Sequence, residues 1–274
     1  MSPGMSNTVT TLRRAGLVLA VGATLGGCAT TASNPNDPLE GFNRAMYSFN
    51  DGLDKVALKP AAKAYKAVLP SFAQTGVNNF FGNLRDVWSA INEFLQGKGE
   101  AGLNDVTRVA VNSTFGIFGL VDFATPAGLR KHNEDFGQTL GWYGVPAGPY
   151  VVLPLFGPST LRDTAALPVD WYGDPWSYKK PTYLRNIGTV VRVIDARATL
   201  LDASNIMQGA ALDPYEFLRD GYLQRRQNQV YDGDPPPDKK PASDDNASTD
   251  GSGSAPASAA PAQAVPAPAP TPAK

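Results

Sequence analysis

The feature that most constrains this chain is its single cysteine, Cys28, together with the stretch in front of it. Asn7–Thr11 is mostly polar, Arg13-Arg14 supplies positive charge, and Ala15–Leu25 is an apolar run broken only by Thr24. Leu25-Gly26-Gly27-Cys28 follows. Basic, then apolar, then small residues at a cut is the layout of a secretory signal. The run is too short to cross a bilayer as a mature helix, which needs roughly 20 residues. A thiolate is a good nucleophile for thioether formation, and small residues before it let a peptidase reach the backbone. Leu, two small residues and Cys resemble a lipobox, so Cys28 is expected to be freed at its amino terminus, acylated and used as a membrane anchor. An ordinary signal peptide with a chance cysteine is the alternative, and Arg13-Arg14 leaves twin-arginine export open. With one cysteine, no disulfide can form within the chain. Ala29 rather than Asp follows the cysteine, which under the enterobacterial sorting rule favours the outer membrane.

The remainder divides by composition. Residues 1–27 are the expected signal peptide, 28–36 the acylated cysteine and a polar tether, 37–231 the folded domain, and 232–274 a tail. Ten of the 24 prolines lie from Asp232 onward, and no aromatic follows Tyr231. Such a segment cannot bury enough surface to offset its ordering entropy, so a disordered Pro/Ala-rich tail is expected. It is either a passive solvated tail or an extended reach into the periplasm or cell-wall mesh. The formal net charge is −1, and loss of Arg13 and Arg14 makes it −3. Nothing is basic enough to draw nucleic acid. The ~195 residues between suit one domain.

Helical spacing dominates that domain. Asp37-Pro38 is expected to cap a helix whose apolar stripe is Leu39, Phe42, Met46, Phe49, Leu53 and Val56. A short helix fits between Pro60 and Pro70, and further helices fit Val77–Leu95 and Ala101–Thr114, the latter with Leu103, Val106, Val109 and Ala110 on one side. Phe115–Ala124 is nearly all apolar with early glycines, and Phe136–Pro158 is too rich in Gly and Pro for a long helix. Tyr150–Phe156 is expected to be extended and Ser159 to cap a short helix. Pro168–Pro181 reads as an aromatic loop, Thr182–Met207 as the longest helix, and Asp213-Pro214 as the start of a last one. That helix ends near Gln229, with Arg225 and Arg226 suiting its dipole. The expected class is mainly α with a Gly/Pro-rich irregular middle.

Catalytic motifs are absent: no G-x-S-x-G, no H-E-x-x-H, no Walker loop and no strand-linked G-x-G-x-x-G. His132 sits in Arg130-Lys131-His132-Asn133-Glu134-Asp135 and reads as solvated. Asp163, Asp170 and Asp174 could seed a carboxylate site, at a spacing that fits no motif. One His, with Cys28 committed, leaves little for a transition metal, so no catalytic or metal site and no cofactor are expected. No mature run reaches 18 apolar residues, so no single-pass helix is expected. Amphipathic helices bearing Phe and Trp can instead lie in a bilayer interface. Phe115, Ile117, Phe118, Leu120, Val121 and Phe123 form the candidate lipid-contact segment, with a buried core helix as the alternative. Trp171, Tyr172, Trp176 and Tyr178 are an interfacial aromatic cluster or the lid of a core.

Several blocks resemble one family. Asp37-Pro38-Leu39-Glu40-Gly41-Phe42-Asn43-Arg44 with Met46-Tyr47 and Phe49-Asn50, Phe136–Val145 with Gly148-Pro149-Tyr150 and Leu153-Pro154, Leu161-Arg162-Asp163, Arg197–Leu201 and Asp213-Pro214-Tyr215 are similar to the MlaA/VacJ phospholipid-binding lipoproteins. The likeness covers nearly all of 37–231. It implies a ring-like, membrane-embedded helical domain in the inner leaflet of the outer membrane, with an amphipathic channel and no hydrolytic activity. The resemblance further implies association with a trimeric porin, removal of phospholipid mislocalised to the outer leaflet, and transfer to a soluble periplasmic lipid carrier. Leu167, Val169, Trp171 and Trp176 are the candidate constriction. A lipoprotein with phospholipase-like activity and an envelope spacer acting through the tail remain the competing expectations.

Overall fold

Helices account for most of residues 37–236, the part of the chain that the computed structural model describes. Cys28, the tether and the tail beyond Pro236 lie outside the described residues. The elements are α1 (Glu40–Leu53), a π-helical segment (Asp54–Leu58), α2 (Lys59–Val68), α3 (Ser71–Leu95), α4 (Gly99–Thr114), α5 (Phe136–Trp142), β1 (Tyr150–Leu153), β2 (Gly157–Thr160), α6 (Leu161–Gly173), a 3₁₀ turn (Pro175–Tyr178), α7 (Thr182–Thr199), α8 (Leu201–Ala210) and α9 (Pro214–Val230). The long α3 packs lengthwise on α4, α2 on α7, and α5 on α6. The two strands form an antiparallel hairpin with Tyr150 opposite Thr160 and Leu153 opposite Gly157.

Caps explain some boundaries and correct others. Asp213 does cap α9, accepting from the N–H groups of Tyr215 and Glu216, with Pro214 in the first turn. Asp37 does not cap α1: it is fully buried, and its carboxylate accepts from Asn43 Nδ2 at 2.8 Å, from the Tyr215 hydroxyl and from Arg219 Nη1 at 3.4 Å. Those long-range donors take the oxygens that local N–H groups would have used. Thr160, one residue beyond Ser159, caps α6 by accepting from Asp163 N–H, while Ser159 is in β2. The expected loop from Pro168 is helical as far as Gly173 and then turns 3₁₀. Pro168 sits inside this helix without an N–H to donate, and Asp170, two residues on, is held by Trp88 Nε1 at 2.8 Å.

The expected single helix Thr182–Met207 is two helices broken at Leu200, and α3 at 25 residues is longer than either. Arg197 stands in the last turn before the break. Its guanidinium reaches both oxygens of Asp54 at 2.6 and 2.8 Å, the Leu200 N–H tightens onto the Arg197 carbonyl, and Leu201 turns inward against Ala62 and Ala198.

The polarity of the fold is inverted. The buried face of α3 includes Asn83, Asp86, Ser89, Asn92 and Glu93, while Ile91, Phe94 and Leu95 are exposed. On α4 the buried residues are Gly102, Asp105, Arg108 and Asn112, and Leu103 and Val106 face out. On α1 Asn43 is buried, while Phe49 is exposed, as is Val56 in the π-helical segment beyond it. Among the described residues, more polar than apolar side chains are fully buried.

Candidate functional site

The candidate lipid-contact segment begins where α4 stops. Phe115–Ala124 forms no helix; it is a lobe of successive turns. Gly116 is why it can close. A Cβ there would lie 2.0 Å from the Val121 carbonyl oxygen and 2.5 Å from that of Asn112. Ile117 and Phe118 follow at φ 52° and 57°, left-handed conformations that cost about 1–2 kcal/mol each. Such strain persists only where the surroundings fix it.

Here the surroundings do. Asn112, buried at the end of α4, accepts from the N–H groups of Phe123 and Ala124 at 2.8 and 2.9 Å and donates to Asp122 at 3.0 Å. Phe118 N–H bonds the Ser113 carbonyl, Gly119 N–H that of Asn112, and Val121 N–H that of Gly116. Asn79 Nδ2 donates to the Leu120 carbonyl at 3.2 Å. Arg108, also buried, reaches Asp86, Thr125, the Leu129 carbonyl and Asp122. Burial alone would push the Asp122 carboxyl up; hydrogen bonds from Thr125 and Asn112 with the Arg108 charge hold it down at about 2.

With these backbone groups satisfied inside, the side chains point out. Phe118 is 77% exposed and Ile117 63%, and Phe115, Leu120, Val121 and Phe123 are exposed as well. This differs from the alternative of a buried core helix. Beside the lobe, Phe80, Ile117, Phe118, Leu120 and Lys179 line an apolar groove of about 510 Å³. Backbone groups satisfied within the protein avoid the cost that unpaired N–H and C=O groups carry away from water.

The candidate constriction residues do not form one group. Leu167, Val169 and Trp171 are exposed on α6. Trp176 packs edge-on against Phe80 and Phe81, with ring centroids 6.0 and 5.3 Å away, and its indole N–H lies 3.1 Å from the Arg185 carbonyl. It joins the 3₁₀ turn to α3 and α7.

The signature blocks do come together. Asp37 and Asn43 from the first, Tyr150 from the second and Tyr215 from the last meet at one buried point. Asn43 brackets β1 by accepting from Val152 N–H at 2.8 Å and donating to the Tyr150 carbonyl at 3.0 Å, and Asn50 does the same for Leu155 and Leu153. A second meeting point is Arg226, which makes a two-bond fork with Asp135 at 2.6 Å each and a further pair with Asp163 at 2.8 and 3.0 Å. Arg226 is therefore no dipole partner at a helix end; it is a buried tie. A Cβ on Gly137 would fall 2.6 Å from both Arg226 and Asp163, so the tie requires glycine there. Burial pushes the Asp163 carboxyl up, but Arg226 and Arg162 outweigh it and hold it low.

The three aspartates suggested as a carboxylate site are thus separated by partner. Asp163 serves Arg226, Asp170 accepts from Trp88 and from Phe136 N–H, and Asp174 caps the 3₁₀ turn and pairs with Arg192. His132 is not simply solvated: its Nδ1 lies 3.1 Å from Asp105 and its side chain is 29% exposed. Asn112 and Arg108 were missed from the sequence, where Asn43 stood only within the first signature block and Arg226 only as a helix-dipole partner. Each is a polar residue on a helical face whose partners are distant in sequence.

A family model described as MlaA lipoprotein matches residues 35–229. The chain is 38% identical over 232 residues to the "Intermembrane phospholipid transport system lipoprotein MlaA" of Escherichia coli (strain K12), covering 81% of this chain and 91% of that protein. A protein of the same name from Haemophilus influenzae is 35% identical over 226 residues, 76% of this chain and 87% of that one. A solved structure reported as "Structural basis for maintenance of bacterial outer membrane lipid asymmetry" superposes with a TM-score of 0.63 at 38% identity, over 71% of this chain and 98% of that one.

Proposed function

This chain belongs to the MlaA lipoprotein family, and from that premise we propose that it carries phospholipid between membranes as an outer-membrane lipoprotein and not as an enzyme. Relatives named for intermembrane phospholipid transport, and a structural neighbour concerned with outer-membrane lipid asymmetry, support the reading. The observation that carries it is the inverted polarity: Asp86, Arg108 and Asn112 inside, Phe115, Ile117 and Phe118 outside. In water this arrangement wastes the hydrophobic effect. In the inner leaflet it offers acyl chains an apolar surface, while the buried polar residues hold the helices together without drawing on that surface.

In this proposal Cys28 carries acyl groups that bring the domain to the outer membrane, where residues 37–231 sit as a ring in the inner leaflet beside a trimeric porin. Phospholipid mislocalised to the outer leaflet enters an amphipathic channel, with Leu167, Val169 and Trp171 toward its narrow part. It leaves to a soluble periplasmic lipid carrier. The chain supplies surface and path, and needs no cofactor beyond the lipid itself. The test is deletion of the gene with complementation, scored by outer-leaflet phospholipid and detergent sensitivity. Phospholipid should accumulate in the outer leaflet on deletion and return to baseline on complementation. Unchanged leaflet asymmetry in a clean deletion would overturn the proposal, as would acyl release by the purified protein.

A further inference from the structure

Outside the lipid-contact lobe, three ionisable side chains from three separate elements converge. Glu93 comes from α3, Asp105 from α4, and His132 from the segment leading to α5. One ligand-type atom from each lies within 4.8 Å of the other two. His132 Nδ1 is 3.1 Å from Asp105 Oδ1 and 3.9 Å from Glu93 Oε1. The two carboxylates are 1% and 0% exposed, and Glu93 Oε2 and Asp105 Oδ2 have no hydrogen-bond partner in the protein.

The surrounding cations do not balance them. Arg108, one turn from Asp105, is taken up by Asp86, Asp122 and the Leu129 carbonyl. Lys131 is paired to Asp86 at 2.9 Å, and Lys98 to Asp232. That leaves two buried carboxylates facing one imidazole, which carries at most one positive charge. Buried charge without a full complement is costly, and two orphaned acceptor oxygens add to the cost.

We propose that Glu93, Asp105 and His132 bind a divalent cation of the zinc type. Two carboxylate oxygens and one imidazole nitrogen are the mixed oxygen and nitrogen donors that zinc accepts, and manganese less tightly. At metal–ligand distances of about 2.0–2.2 Å, tetrahedral ligand atoms stand roughly 3.3–3.6 Å apart. The 3.1 and 3.9 Å separations from His132 bracket that spacing, and the two carboxylates lie within 4.8 Å of each other, so closure on a cation needs the carboxylates to draw together. The partly exposed His132 provides the entry path, and solvent completes the coordination. A cation there would bind α3 and α4 to the segment carrying Glu134 and Asp135. It is therefore a clamp beside the lipid-transporting surface and not part of that surface.

His132 is the only histidine in the chain, which makes the test direct. The full chain is purified in detergent with a tag free of histidine, stripped with chelator, labelled with ¹⁵N-histidine and titrated with zinc chloride. One equivalent should move the His132 ring nitrogens to metal-bound positions and raise the thermal midpoint. Glu93→Gln should weaken zinc binding at least tenfold. His132→Gln, at a side chain 29% exposed, should do the same even if Glu93→Gln fails to fold. Ring resonances that do not move with zinc would overturn the proposal. Equal zinc affinity in wild type and His132→Gln would overturn it equally.

Discussion

Arg225 and Arg226 are neighbours in sequence and opposites in the fold. Arg225 is exposed, whereas Arg226 is buried between Asp135 and Asp163. Removing one partner of a buried ionic cluster strands the others, at a cost of roughly 3–5 kcal/mol. Arg226→Met should therefore lower stability by about that amount, while Arg225→Met should stay within about 0.5 kcal/mol of wild type. Chemical denaturation in detergent measures both, and equal effects would contradict the assignment. The tie was illegible in the sequence because its partners stand 63 and 91 residues away. Glu134 allows a second prediction at this scale. Burial pushes its carboxyl from 4.5 up to about 7, against the pull of Gln96 and Lys98. The folded state thus holds the proton more tightly than the unfolded one. The resulting stabilisation is complete below about pH 4.5 and is lost as pH rises through about 7. Glu134→Gln, neutral throughout, should flatten that part of the stability profile and gain on the order of 1–3 kcal/mol at alkaline pH. Thermal midpoints of the two proteins across that range should diverge as pH rises; parallel profiles would refute the sign.

At the level of elements, periodicity made the helices legible but not the direction they face. Spacing at three and four residues groups Leu103 and Val106 on one side of α4, and that grouping holds. Whether the side turns in or out depends on the surrounding medium, which periodicity does not encode. A boundary set by local chemistry, Asp213-Pro214, was readable; the break at Leu200, where Arg197 pairs with Asp54 143 residues away, was not. The second strand of the hairpin was hidden as well, since Gly157-Pro158-Ser159-Thr160 has no alternating apolar pattern. The Phe115–Ala124 lobe separates fold from function cleanly. Asn112→Ala leaves the N–H groups of Phe123 and Ala124 without acceptors and should cost on the order of 2–4 kcal/mol. Phe118→Asp changes a side chain that touches little of the protein. On the proposed lipid-facing placement of the lobe, it should leave the thermal midpoint nearly unmoved and yet abolish rescue of leaflet asymmetry, because a carboxylate is costly in an apolar medium. Rescue by the Phe118→Asp protein at wild-type level would remove the lobe from the lipid-facing surface.

For the whole molecule, inverted polarity raises the question of how such a domain reaches its membrane. A surface bearing Phe72, Phe115, Phe118, Trp171 and Tyr183 in contact with water is an association hazard. Its interior, however, is closed by polar ties that do not depend on lipid: Asp37 with Tyr215, Arg226 with Asp163, Arg108 with Asp86. The fold and the insertion are therefore separable. A single acyl chain gives only marginal membrane binding, and several together hold a protein stably. On this account the groups expected on Cys28 deliver a domain that is already folded, and the apolar surface takes over once it reaches the leaflet. Cys28→Ala should then leave the protein with native helical content and an unchanged denaturation midpoint when isolated in detergent. In cells it should fail to reach the outer membrane, and outer-leaflet phospholipid should accumulate as in the deletion. Fractionation of the envelope, alongside circular dichroism of the purified variant, separates the two effects. Normal arrival of the variant at the outer membrane would mean that the apolar surface suffices for delivery. An unfolded variant would mean that the polar interior does not stand without the anchor.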